Sequence, residues 1–147
     1  MRTVAIIPAR LASSRFPGKP MALIHGMPMI GHCYCRVRLC PDLTDTYVAT
    51  CDEEIFDYIL SIGGKAVMTA DTHERASDRA AEAMVKVEEA CEEKTDILVM
   101  VQGDEPMTHP AMIDEAIQPM LIDSEIQVVN LLGEISGIEE FEDRNCI

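Results

Sequence analysis

The chain has 147 residues, 48% of them hydrophobic and 4% aromatic, and a formal net charge of −14. That length suits one domain spanning residues 1–147 with a core of its own, the composition excludes disorder, and no apolar run is long enough to span a bilayer. The acidic balance and the scarcity of aromatics argue against a nucleic-acid partner, whose phosphates call for a basic footprint and whose unpaired bases call for stacking.

The distribution of charge says more than its sum. Residues 1–40 hold six cations, Arg2, Arg10, Arg15, Lys19, Arg36 and Arg38, and no Asp or Glu. A small anion is focused onto such a segment, while the acidic remainder repels a large polyanion. The six cysteines show no C-x-x-C pair and no secretory context, which reads as reduced thiols in a cytoplasmic protein. His32, Cys33 and Cys35 lie close in sequence, but positions i and i+2 of a helix diverge, so zinc is disfavoured. Cys33 instead joins Ile30, Tyr34, Val37 and Cys40 in an apolar stripe with helical spacing.

In chain order, Thr3 to Ile7 is a nearly continuous apolar run, the pattern of a strand buried on both faces. The polar loop Pro8 to Pro20 follows, then a short extended piece, Met21 to Ile24, turned by His25-Gly26. The spacing predicts a helix with Pro28 in its first turn that stops before Pro41. Thr46 to Thr50 reads as strand, and a helix from an Asp52 cap to Ser61 is closed by Gly63-Gly64. A third strand over Lys65 to Thr69 leads to the polar segment Ala70 to Ala76. Ser77 or Asp78 then caps a helix with the stripe Ala80, Ala83, Met84, Val87, Ala90 and Cys91. Ile97 to Val101 is the clearest candidate for a buried strand. It runs into Gln102-Gly103-Asp104-Glu105-Pro106. Pro110 opens a helix, Gln127 to Leu132 is expected to form a fifth strand, and a short helix is expected near Ile138.

Strand and helix alternate without hairpin signals, so the expected fold class is α/β: an open, mostly parallel sheet with helices on both faces. Ligands of such sheets bind beyond the carboxyl ends of the strands. Pro8–Pro20, Ala70–Ser77 and Gln102–Pro106 are therefore expected to converge on one crevice. The first loop is long for a mere connection, and its Arg and Lys residues suit phosphate oxygens. Neither the dinucleotide template G-x-G-x-x-G nor a P-loop is present. Asp104, a carboxylate at a strand tip opposite this cationic loop, suits magnesium shared with a nucleotide's phosphates, although such an Asp is often only a turn or helix cap.

Ile6-Ile7-Pro8-Ala9-Arg10, Ser14-Arg15 through Pro17-Gly18-Lys19-Pro20, Gly26 through Pro28-Met29-Ile30, Val48-Ala49-Thr50 and Val101 through Pro106 occur in an order and spacing that span nearly the whole chain. In these motifs the chain resembles the N-terminal portion of the 3-deoxy-manno-octulosonate (KDO) cytidylyltransferases, also called CMP-KDO synthetases. The resemblance implies a three-layer, Rossmann-like nucleotide-diphospho-sugar transferase fold. It implies a cytosolic homodimer that transfers CMP from CTP to a sugar acid, releases pyrophosphate, requires Mg²⁺ and serves lipopolysaccharide synthesis. By similarity Arg10, Arg15 and Lys19 hold the triphosphate, and Pro8 and Ala9 offer backbone near the nucleoside. Gln102 and Asp104 meet the sugar acid or nucleotide and the metal, and His73, Ser77 and Arg79 lie by base and ribose. Arg10, Lys19 and Asp104 are the expected catalytic groups.

Two departures stand out. Where the family typically reads His-x-Ser-Gly-Thr-Asp/Glu-Arg, this chain has Arg75 for a small hydroxyl and Ala76 for glycine, which bears on the choice of base or sugar acid. The family also continues well past the point equivalent to Ile147, so the chain is expected to be truncated, a nucleotide half-site with weak or no catalysis. Two alternatives stay open: a cytidylyltransferase for another sugar acid, and a noncatalytic nucleotide-binding or assembly module.

Overall fold

Val4, Ile6 and Ile7 leave the first strand, β1 (Thr3–Ala9), no polar side, and it lies at the centre of the sheet with all seven residues buried. The computed structural model describes residues 1–12, 16–135 and 137–143. A hairpin of two short strands, β2 (Leu23–Ile24) and β3 (Met27–Pro28), leads to α1 (Met29–Val37). There follow β4 (Asp45–Thr50), α2 (Glu53–Ser61), β5 (Ala66–Met68), α3 (Ala76–Cys91) and β6 (Ile97–Met100). The described chain ends with α4 (Pro110–Ile122) and α5 (Ile138–Glu142).

Among the described residues the main sheet has four parallel strands in the order β5-β4-β1-β6. The alternation of a strand sorts the residues of β1 between two cores. Ala5, Ile7 and Ala9 face a layer built by α1, α2 and α4, where Ile30, Val37, Ile55, Ile59, Ile113 and Ile117 are buried. Val4 and Ile6 face α3 through Ala80 and Ala83, small residues that let this helix lie close to the sheet. Ile6 and Ile7 are both fully buried, which stabilises the fold by about 1.5–3 kcal/mol each. The expected α/β fold with helices on both faces is thus the observed one, and the stripe Ile30, Cys33, Tyr34, Val37 and Cys40 is core throughout.

Several expectations need correction. Two strands do pair antiparallel, around the His25-Gly26 turn, because both residues take positive φ, 49° and 82°, and reverse the chain in two steps. Ile97–Met100 is not the most buried strand. It pairs with β1 on one side and has no strand partner on the other among the described residues, which leaves Met100 41% exposed. Gln127–Leu132 forms no strand: a strand exists only with a hydrogen-bonded neighbour, none of the described strands lies beside it, and Leu132 is 93% exposed. Pro28 precedes α1 rather than lying in its first turn. In the stripe of α3, Ala80, Ala83 and Val87 are buried, Met84 is half-buried, and Ala90 and Cys91 are exposed. His32 and Cys33 turn to different partners, the carbonyls of Ile24 and Gly103, and no group of three His, Cys, Asp or Glu suited to a metal occurs among the described residues. No described helix is long and apolar enough to cross a membrane.

Candidate active site

Strand order places the site. From β1 the chain moves outward through β4 to β5, then returns to the other side of β1 as β6. The loops after β1 and β6 therefore leave adjacent parallel strands at the point where the strand order reverses, and a crevice opens between them. A cavity of about 340 Å³ lies there, and all three polar loops line it. The end of β1 and the loop after it contribute Pro8, Ala9, Arg10 and Lys19, the loop after β6 contributes Gln102 and Asp104, and the approach to α3 and its first turn contribute His73, Arg75 and Arg79. Ser77 is exposed in the first turn of α3 and does not line the cavity, and Arg15 lies outside the described residues.

Two devices hold the β1 and β6 loops together. A Cβ at Gly103 would sit 2.5 Å from the Pro8 carbonyl oxygen, so only glycine permits this approach. Behind it, the buried Cys33 thiol donates to the Gly103 carbonyl at 3.4 Å. Burial pushes this thiol up to about 11, so it remains a protonated donor at neutral pH. Across the mouth, Lys19 Nζ binds Asp104 Oδ2 at 2.8 Å with both side chains nearly half exposed. A pair so exposed contributes about 0–1 kcal/mol, little enough for a ligand to separate it.

The third loop is held from α3. Arg79 is 3% exposed and donates Nη1 to the Thr69 hydroxyl and, at 3.2 Å, to the Ala70 carbonyl. Its Nη2 is buried with no hydrogen-bond partner among the described residues, a donor that a ligand's acceptor would satisfy. Glu82 accepts from the Ala70 N–H and pairs with His73 Nε2 and Lys86 Nζ, which ties the loop to the helix. These bonds, that with Lys86 foremost, hold the Glu82 carboxyl down at about 2. Neither Ser77 nor Asp78 caps α3, whose N-cap position is Arg75 with no side-chain cap bond. The helix starts earlier than expected, leaving those two residues inside its first turn.

Sequence reasoning missed three supports. Glu82 offers no signal beyond its i,i+4 spacing to Lys86, which any surface pair shares. Cys33 reads only as core. Asp52 reads as the cap of α2 and does occupy that position, yet it makes no cap bond, and its Oδ2 accepts the Leu11 N–H at 2.7 Å. No local pattern announces such partners, because they lie 41 and 70 residues away.

A family model described as cytidylyltransferase matches residues 4–147. The chain belongs to the cytidylyltransferase family. A 3-deoxy-manno-octulosonate cytidylyltransferase of Geobacter metallireducens is 42% identical over 147 residues, all of this chain and 56% of that protein. One from Escherichia coli is 40% identical over 141 residues, 96% of this chain and 55% of that protein. This cytidylyltransferase chain thus spans about half the length of the curated relatives it matches. It superposes with a TM-score of 0.79 and 40% identity on a solved CMP:2-keto-3-deoxy-manno-octonic acid synthetase complexed with CTP, covering 86% of this chain and 50% of that one. A nucleotidyl transferase of Methanothermobacter thermautotrophicus, at 17% identity and a TM-score of 0.64 over 80% of this chain and 57% of that one, shares the fold.

Proposed function

We propose that this chain forms the nucleotide-binding part of an enzyme that transfers CMP from CTP to a sugar acid, KDO, and releases pyrophosphate. The observation that carries this reading is the cavity at the switch point of the sheet, where Arg10 and Lys19 meet Asp104 and the unsatisfied Nη2 of Arg79. The similar fold solved with CTP supports it. The Mg²⁺ requirement, the cytosolic homodimer and the lipopolysaccharide pathway implied by the family resemblance belong to the same reading.

Asp104 is a single carboxylate, and magnesium commonly takes one or two carboxylates with phosphate oxygens and water completing its shell. The donor set therefore fits a metal that arrives with a nucleotide, with Asp104 as its protein ligand. Bound there, Mg²⁺ would neutralise charge on the phosphates and draw electrons from the α-phosphorus. The protein's own groups do the rest. Lys19 exchanges Asp104 for phosphate oxygens, Arg10 offers a second cation from the same loop, and Arg79 supplies a buried donor to the nucleoside end. The anomeric hydroxyl of the sugar acid attacks the α-phosphorus and gives up its proton to solvent, the bond from that phosphorus to the oxygen bridging the β-phosphate breaks, and pyrophosphate departs with the charge these cations offset.

Calorimetry of the chain with CTP tests the site. Mg²⁺-dependent binding is expected, weakened about tenfold or more by Lys19→Ala and by Asp104→Ala, since each removes a charge-assisted contact. Binding heats indifferent to both substitutions would remove the site. Pyrophosphate release with CTP, Mg²⁺ and KDO tests the transfer itself. A noncatalytic nucleotide-binding module is the second reading, and CTP binding without pyrophosphate release would select it.

A further inference from the structure

Asp52 is placed to cap α2, and α2 does not use it. That helix begins with Glu53 and Glu54 in its first turn, which already meet its positive end, while the Asp52 side chain makes no bond to it. The residue is fixed from below: its N–H donates to the hydroxyl of Thr50 at 3.1 Å, and Thr50 is fully buried at the tip of β4. From that seat Oδ2 takes the peptide N–H of Leu11 at 2.7 Å and, more weakly, the Cys51 thiol at 3.7 Å.

Leu11 is the neck of the cationic loop. Its carbonyl accepts the Gly18 N–H at 2.9 Å, closing the loop on itself, and Gly18 has a φ of 73° that a side chain would strain. Lys19 follows at once in a 3-10 turn, and Arg10 precedes Leu11 directly. Both cations that line the cavity from this loop thus flank one backbone junction, and one carboxylate holds that junction to the end of β4.

We propose that Asp52 is a positioning residue, whose carboxylate binds the Leu11 N–H and so fixes the loop neck that directs Arg10 and Lys19 to the nucleotide's phosphates. The part played by the phosphates rests on the functional reading above; the neck itself does not. A charge-assisted bond to a backbone N–H is stronger than a neutral one, and it sets the direction in which the strand gives way to the loop. Asp52 touches no substrate in this role. It acts through Leu11.

Two variants separate this role from helix capping. Asp52→Ser keeps a good capping group but is one bond too short to keep the clasp, whereas Asp52→Asn keeps an acceptor oxygen at the same reach. Amide hydrogen exchange without nucleotide is expected to quicken at residues 10–12 and 16–20 in Asp52→Ser, and to stay near wild type in Asp52→Asn. In calorimetry Asp52→Ser is expected to weaken CTP about tenfold while leaving cytidine, which has no phosphates, unchanged, with Asp52→Asn within about threefold of wild type. Unchanged exchange in Asp52→Ser overturns the clasp, and equal losses for CTP and cytidine overturn its link to the phosphates. Should the wild type bind no CTP, the functional reading falls, while the exchange data still decide the neck.

Discussion

Glu82 shows how one side chain, unremarkable in sequence, organises a wall of the site. It takes the Ala70 N–H, His73 and Lys86 together, and its carboxyl sits at about 2 against an ordinary 4.5. Because the folded value lies below the unfolded one, the stability it contributes is fully present above about pH 4.5 and disappears as pH falls through about 2. Glu82→Gln keeps an acceptor for Ala70 but loses the ion pair with Lys86 and the negative charge facing His73, and is expected to cost about 1 kcal/mol at pH 7. Urea denaturation of the two proteins should show the difference shrinking between pH 4.5 and pH 2, the range set by the depressed carboxyl. A difference independent of pH would mean that the lost packing, not the charge, matters. His73 was readable as a site candidate from its segment, whereas Glu82 was not, since its spacing to Lys86 is that of any solvent-facing pair.

At the scale of elements, apolar spacing placed α2 and β4 within a residue, because buried faces leave a period in the sequence, while α1 ends at Val37, short of the expected stop before Pro41. Caps were less legible. The capping residue of α3 follows from where the chain turns toward the sheet, and Arg75 at that position offers no side-chain bond. α4 carries a proline at each of two different kinds of position. Pro110 opens the helix beside the His109 cap, where a missing N–H is harmless, but Pro119 lies inside it and removes the bond to the Glu115 carbonyl. Pro119→Ala is expected to stabilise the protein by about 1–3 kcal/mol, read as a higher midpoint of thermal unfolding. A lowered midpoint would show that the ring's packing outweighs the restored hydrogen bond.

At the scale of the whole molecule, apolar exposure is concentrated after α3. Ile122, Val128, Leu132, Ile138 and Phe141 are each more than two-thirds exposed. Exposed apolar side chains drive association, while a net charge of −14 opposes it. Sedimentation velocity is therefore expected to show concentration-dependent association that added salt strengthens, by screening the repulsion, and that Val128→Lys with Leu132→Lys reduces. Association insensitive to both would place the contact elsewhere. This surface also explains the unformed fifth strand: the apolar pattern at Gln127–Leu132 is a strand's, but pairing needs a neighbour that no local pattern supplies.

What the sequence determined by itself was the run of elements and the place of the charged loop, which depend on near neighbours along the chain. The periods of its apolar residues specify alternating strands and helices, and an acid-free first forty residues and a proline-punctuated loop mark where an anion is received. Only the tertiary structure decided the strand order that makes the β1–β6 boundary the crevice, the contact of Gly103 with Pro8, and the grips of Cys33, Glu82 and Asp52 on the three loops. Those are pairings between distant segments. Their geometry is set when the helices bury their apolar faces on the sheet, and a hydrogen bond across 41 or 70 residues leaves no trace in the spacing of either end.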